Sequence, residues 1–233
     1  SGHLVLVQYF LGLKISGILL EIVLHLGTLF SIIVFYRKEI SSLYKGSIRG
    51  NKESIKLLIM IIIAILPVIL FSLLFREQLV IFYQPEFIPR MLFFTGCILF
   101  STKFIKIEKN KITYKIAFLI GVLQIFAIFP GISRSGLTIS SAILLGVYRD
   151  EAAKFSFLMA IPLLFGAAIF QIINFPDFSS SIIPLIVGFL VSFISGLIFI
   201  KFLIQVISNQ GFWKFSIYCF LLSFICLLMG IGI

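Results

Sequence analysis

Charge is scarce in this sequence. Asp and Glu together number 9 in 233 residues, and charged residues of both signs make up 12% of the chain against 61% hydrophobic. Soluble domains carry about 25% charged residues. The composition therefore excludes a soluble globular domain and points to an integral membrane protein. Cysteine is scarce too. Cys97, Cys219 and Cys226 all lie inside apolar runs, and no CxxC or Cys/His cluster accompanies them. That excludes a zinc module and leaves small apolar packing as their role, with Cys219 and Cys226 spaced to share a helix face. The sequence starts at Ser1-Gly2-His3-Leu4 with neither Met nor a charged n-region. It reads as a cut end, with more chain expected upstream.

What is abundant is Phe, used 28 times, and basic charge, with 19 Lys and Arg and a formal net charge of +10. In a soluble protein that charge would suggest nucleic acid. Here the basic residues fall mainly between apolar runs, so they are topology signals and no nucleic-acid partner is expected.

Taken in order, Leu4–Leu13 is too short to span, since a spanning helix needs about 20 residues. It reads as a half-helix. Ile18–Tyr36 is a spanning helix carrying Glu21 and His25 one turn apart on one face. A salt bridge or a core role is open to them, but ionisable groups in such a helix are candidates for a site. Arg37–Lys56 reads as a polar basic loop. Further spans are Ile55–Phe75 with Pro67 inside, Phe87–Thr102, Ala152–Ile173 with Pro162 inside, Ile183–Ile207 and Phe215–Ile233.

Between Ile116–Phe129 and Leu137–Val147, neither long enough to span, lies the polar break Pro130-Gly131-Ile132-Ser133-Arg134-Ser135-Gly136. An Arg at membrane depth costs about 2.5 kcal/mol or more on insertion scales. Irregular backbone there is tolerated only where it is buried in protein or lines a watery cavity. The loop charges indicate how the break is used. If Arg37–Lys56 is cytoplasmic and the two short runs form a hairpin, every strongly basic loop falls inside, as the positive-inside rule asks. If the runs crossed as one helix, Arg149 and Lys154 would fall outside and the Asp177 loop inside. The expectation is thus an all-α polytopic membrane protein with six spanning helices. One half-helix with three spans, residues 1–103, would be repeated in inverted form by residues 112–233. That gives one complete re-entrant hairpin and half of a second, in a single membrane domain.

The break has the parts of an oxyanion receptor. Arg134 offers a permanently charged planar fork. Gly131 and Gly136 let the backbone approach a ligand. A helix starting near Leu137 turns its N–H groups and positive dipole end to the break. Ser133, Ser135 and Thr138 add hydroxyls. The alternative is a structural kink with Arg134 paired to Glu21. His3, beside Ser1 and Gly2 at the other half-helix start, is a candidate general base or acid. On these residues the choice between enzyme and transporter stays open.

The stretch Pro130-Gly131-Ile132-Ser133-Arg134-Ser135-Gly136-Leu137-Thr138 resembles the P-G-x-S-R-S-G-x-T signature of bacterial undecaprenyl-diphosphate phosphatases of the bacitracin-resistance type. Ser1-Gly2-His3-Leu4 is similar to the end of that family's S-S-[ST]-G-H-L motif. Glu21-Ile22-Val23-Leu24-His25-Leu26-Gly27 is similar to its E-V-x-I-Q-L-G run, with His25 in place of Gln. Phe155-Ser156-Phe157-Leu158 through Pro162 is similar to its F-S-F-L-x-x-x-P run.

The resemblance implies a multi-pass enzyme of the bacterial inner membrane, its active site facing the periplasmic side. It would hydrolyse undecaprenyl diphosphate to undecaprenyl phosphate, recycle the carrier for peptidoglycan synthesis and confer bacitracin resistance. It implies Arg134, His3 and Glu21 as catalytic residues, and Ser133, Ser135, Gly131, Gly136, Thr138 and Ser1 as phosphate-binding residues. It also implies a divalent metal, Mg²⁺ or Ca²⁺, held by an acidic motif expected upstream of Ser1, with Glu21 as a further ligand. The chain as given is then expected to lack part of the active site. The partners implied are the polyprenyl lipid and the bilayer, and a homodimer is left open. The alternatives are a transporter or flippase for an anionic polyprenyl lipid, or an inactive homologue.

Overall fold

The computed structural model describes residues 2–10, 18–79, 82, 84–105, 110–174 and 182–231. Among these the secondary structure is helical, and the one β contact is an isolated bridge between Asn110 and Val147. The helices are α1 (Gly2–Phe10), α2 (Ile18–Phe35), α3 (Arg37–Ile48), α4 (Lys52–Leu74), α5 (Arg76–Leu79) and α6 (Ile88–Ser101). They continue as α7 (Tyr114–Gln124), α8 (Arg134–Leu144), α9 (Arg149–Asn174), α10 (Ile182–Ser208) and α11 (Phe215–Leu228). Among the described residues, four stretches are long and apolar enough to cross a membrane: Lys52–Leu74, Pro85–Phe104, Arg149–Ile173 and Ile182–Ser208. A fifth is reached if α2 and α3 count as one bent span. Pro67 and Pro162 sit inside α4 and α9 without ending them, as is common in apolar helices whose neighbours re-satisfy the freed carbonyl.

Two expectations are corrected. Arg37–Lys56 is not a loop: it folds as α3 and the start of α4. Its apolar residues Ile40, Tyr44 and Ile48 recur every four residues, and no proline interrupts them. The second helix of the hairpin starts at Arg134, not near Leu137, because Ser133 caps it. The Ser133 hydroxyl accepts the Gly136 N–H at 3.1 Å.

The chain divides into two compact units, one made of Ser1–Lys14, Ile62–Ser156 and Val206–Ile233, the other of Ile15–Ile61 and Phe157–Gln205. In the first, α6 packs along α11, with Gly96 lying against the Phe220 ring. Ser223 donates to the Pro89 carbonyl at 2.7 Å. Leu6 of α1 is buried in a cluster with Ile88, Leu92, Cys226 and Ile231, so Cys226 does serve as a packing residue. The helices α7 and α8 pack on each other, and their outer ends are stitched together. The Asn110 N–H donates to the Gly146 carbonyl (3.0 Å), its Nδ2 to that of Leu145 (3.0 Å), and the Tyr148 N–H to the Asn110 carbonyl (3.3 Å). Residues 110–148 are thus a helical hairpin whose ends meet at one place.

In the second unit α2 lies against α10 through small residues. A Cβ on Gly27 would stand 2.7 Å from the Phe189 carbonyl oxygen. The Ser192 hydroxyl donates to the Leu24 carbonyl (2.7 Å) and lies 3.1 Å from that of Thr28. Small residues and interhelical hydroxyl bonds are how apolar helices associate where the hydrophobic effect gives no preference.

Candidate functional site

The break between α7 and α8 runs from Phe129 to Ser133. Gly131 has φ +101°, a conformation that a side chain resists. A Cβ there would also stand 2.8 Å from Met91 Cβ and 3.0 Å from the Ile88 carbonyl oxygen. The break is tied to α6 by Thr95. Its hydroxyl donates to the Gly131 carbonyl (3.1 Å), sharing its proton with that of Met91 (3.0 Å), and accepts the Ser133 N–H (3.2 Å).

Arg134 opens α8, half-buried. Its Nη1 is buried and has no hydrogen-bond partner. With Gly136 capped by Ser133, the N–H groups of Arg134 and Ser135 have no intrahelical acceptor. A fixed cation and a helix start therefore share one place, the arrangement that binds oxyanions. Thr138 is 1% exposed, and its hydroxyl is engaged with the Arg134 carbonyl (2.9 Å) and Ser156 Oγ (2.6 Å). It thus braces the first turn of α8 against α9. Gly136 is buried, Ser135 half-buried and Ser133 exposed.

The start of α1 meets this break. A Cβ on Gly2 would stand 2.7 Å from both Cα and N of Gly131, so only glycine permits the approach. His3 is the next residue. Its Nε2 lies 2.7 Å from the Tyr218 hydroxyl, and the two rings stack at 5.7 Å with 6° between their planes. The first unit thus brings together His3, Gly131, Ser133, Arg134, Ser135, Gly136 and Thr138. Glu21 and His25 are on α2 in the second unit, both half-buried and both engaged in interactions. Ser1 lies outside the described residues, as do Asp177 and residues 106–109.

Sequence reasoning missed Tyr218 here, and two buried polar groups elsewhere in the hairpin. Tyr218 orients His3 from 215 positions away. Gln124, at the end of α7, is 0% exposed, and neither polar atom of its amide has a partner. Ser140 on α8 is equally buried, its hydroxyl likewise without one. A signal for Gln124 was present: it is the one polar side chain in the run Ile116–Phe129. Among the described residues, no group of three or more His, Cys, Asp or Glu side chains is placed to hold a metal ion. The acidic motif to which the resemblance assigns the divalent cation is expected upstream of Ser1, and Glu21 is the further ligand it implies within this chain.

A family model described as bacitracin resistance protein BacA matches residues 1–225. The chain belongs to this family. Among curated relatives, the undecaprenyl-diphosphatase of Christiangramia forsetii is 36% identical over 231 residues, covering 96% of this chain and 88% of the relative. That of Caldicellulosiruptor bescii is 35% identical over 234 residues, with 97% and 88% covered. That of Syntrophotalea carbinolica is 36% identical over 234 residues, with 96% and 88% covered. Family membership and the apolar helices together make this BacA-family chain a multi-pass membrane protein.

Proposed function

We propose that this chain is an undecaprenyl-diphosphatase. It hydrolyses undecaprenyl diphosphate to undecaprenyl phosphate and inorganic phosphate, returning the carrier to peptidoglycan synthesis and conferring resistance to bacitracin. The observation that carries the mechanism is the unpartnered, buried Arg134 Nη1 at the capped start of α8, with α1 and its His3 packed on the same break. Arg134 and the first N–H groups of α8 grip the diphosphate and stabilise charge that builds on the transferring phosphoryl group. His3 takes the proton of an attacking water as its oxygen bonds to the terminal phosphorus, or of a serine whose phosphate ester a water then hydrolyses to inorganic phosphate. Tyr218 fixes the ring plane through Nε2, leaving Nδ1 for that transfer. The anhydride P–O bond breaks, and undecaprenyl phosphate leaves. Ser133, Ser135 and Thr138 shape the pocket, with Thr138 holding the helix turn that carries Arg134.

We further infer six spans related by an inverted repeat, with the headgroup entering from the periplasmic face of the inner membrane. Two features support that reading: α6 and α11, the last spans of the two halves, pack on each other, and the starts of α1 and α8 flank one break. Phosphate release from undecaprenyl diphosphate in detergent, for the chain and its Arg134→Ala variant, tests the proposal. A large loss in the variant is expected, and equal rates would overturn the role of Arg134. Lipid movement without phosphate release would favour a transporter.

A further inference from the structure

Outside the hairpin, the strongest unassigned feature is α3 with the turn that follows it. α3 leaves the line of α2 with a bend of 73°, and none of its residues is buried. Two stripes of side chains run along it. Ile40, Tyr44 and Ile48 follow one stripe, and Tyr44 and Ile48 are 67% and 69% exposed. Lys38, Ser42, Lys45 and Arg49 follow another, spaced four, three and four residues apart, on a different face. A helix that turns sharply off an apolar span, apolar on one face and basic on another, has the build of an interfacial helix.

The turn is built rather than loose. Gly50 has φ +73°, the Asn51 N–H donates to the Gly46 carbonyl (2.9 Å) and the Gly50 N–H to that of Ser47 (3.1 Å). This is the Schellman pattern of helix termination. Asn51 then caps α4: its Oδ1 accepts the N–H groups of Glu53 (3.0 Å) and Ser54 (3.1 Å), leaving Nδ2 to donate. A Cβ on Gly46 would overlap the Ser54 side chain, so the two helices touch there. The result is a hollow lined by Ser42, Lys45, Gly46, Arg49 and Asn51. Two cations, a hydroxyl and an amide face it, and no carboxylate lines it. Glu39 and Glu53 are the acids nearest in sequence, against Arg37, Lys38, Lys45, Arg49, Lys52 and Lys56.

We propose that α3 lies in the membrane interface and that the hollow seats the phosphate headgroup of an anionic phospholipid, with Tyr44 and Ile48 set among its acyl chains. Juxtamembrane basic side chains are drawn to an anionic surface. The fixed turn turns that general attraction into a site. The lipid here is a bound component of the bilayer and is distinct from the substrate at Arg134.

The test uses the purified chain in neutral mixed micelles carrying phosphatidylglycerol or phosphatidylcholine. It reads the thermal midpoint and, by native mass spectrometry, the retained lipid. Phosphatidylglycerol is expected to raise Tm by several degrees over phosphatidylcholine. The Lys45→Gln/Arg49→Gln variant should lose most of that increment and the retained lipid, with its Tm in phosphatidylcholine and its phosphate release unchanged. Ile48→Ser should lose part of the increment. Soluble glycerol phosphate should give none, and an equal increment from it would overturn the lipid source. Equal Tm in the two lipids, or a double variant that keeps both the increment and the bound lipid, would overturn the site.

Discussion

Along the α2–α10 seam the hydroxyls are spent on each other and on nearby carbonyls. Ser192 bonds to Leu24 and Thr28, and Ser31, fully buried, donates to the Thr28 carbonyl at 2.6 Å. Around the hairpin the same kinds of residue leave capacity unused: Arg134 Nη1, Ser140 Oγ and both ends of the Gln124 amide are buried without partners. Small and polar residues in an apolar chain therefore do not mark a site by themselves, because they also glue helices together. Unmet hydrogen-bonding capacity adds a second mark, since a buried polar group left alone opposes folding; it is gathered at the hairpin but also occurs at Ser216 on α11.

Substitution separates the two regions in opposite directions. The largest effect is expected from Arg134→Ala. Removing a donor aimed at developing charge lowers rates by about 10²–10³, so kcat/KM for phosphate release should fall by about that factor while Tm holds or rises. A variant that loses Tm in proportion to activity would place Arg134 among the structural residues. Next is Gly27→Leu at the seam, where the new side chain meets the Phe189 carbonyl and Ser192. Overpacking typically costs about 1–3 kcal/mol. The folded yield and Tm should drop, and phosphate release per folded molecule should stay near wild type.

The hairpin was legible in the sequence because Pro, Gly and Arg stand out against apolar neighbours, and the loop charges allowed few ways to thread it. The start of α8 lies one turn earlier than the apolar run suggests, because Ser133, which has the chemistry of a ligand, is its cap. The helix α3 was hidden by its own charge: basic residues between apolar runs read as loop unless the four-residue spacing of Ile40, Tyr44 and Ile48 is counted. Tyr218 could not be found at all, since periodicity carries no information about a partner 215 residues away. Gln124 was overlooked because an uncharged amide raises no alarm in a charge count, although its burial is the more telling fact.

Gln124→Leu sharpens the comparison on the hairpin side. Replacing an unsatisfied buried amide with an apolar side chain of similar shape is near neutral or stabilising, and the relieved desolvation is about 1–3 kcal/mol. The variant should therefore hold or gain Tm while phosphate release falls. If Tm falls instead, Gln124 belongs with the structural groups, and the unmet-capacity criterion fails at this position.

The smallest effect is expected from Ser192→Ala. Its hydroxyl makes two bonds across the seam, yet hydrogen bonds between helices in a membrane average about 0.6 kcal/mol, because the separated helices find other partners. A double-mutant cycle with Thr28→Ala, read by thermal or denaturant unfolding in micelles, should return a coupling of about that size and leave phosphate release untouched. A coupling several times larger, or a loss of activity without a loss of stability, would mean that the seam is part of the working site. The division between glue and site would then have to be redrawn to include α2, the helix that carries Glu21.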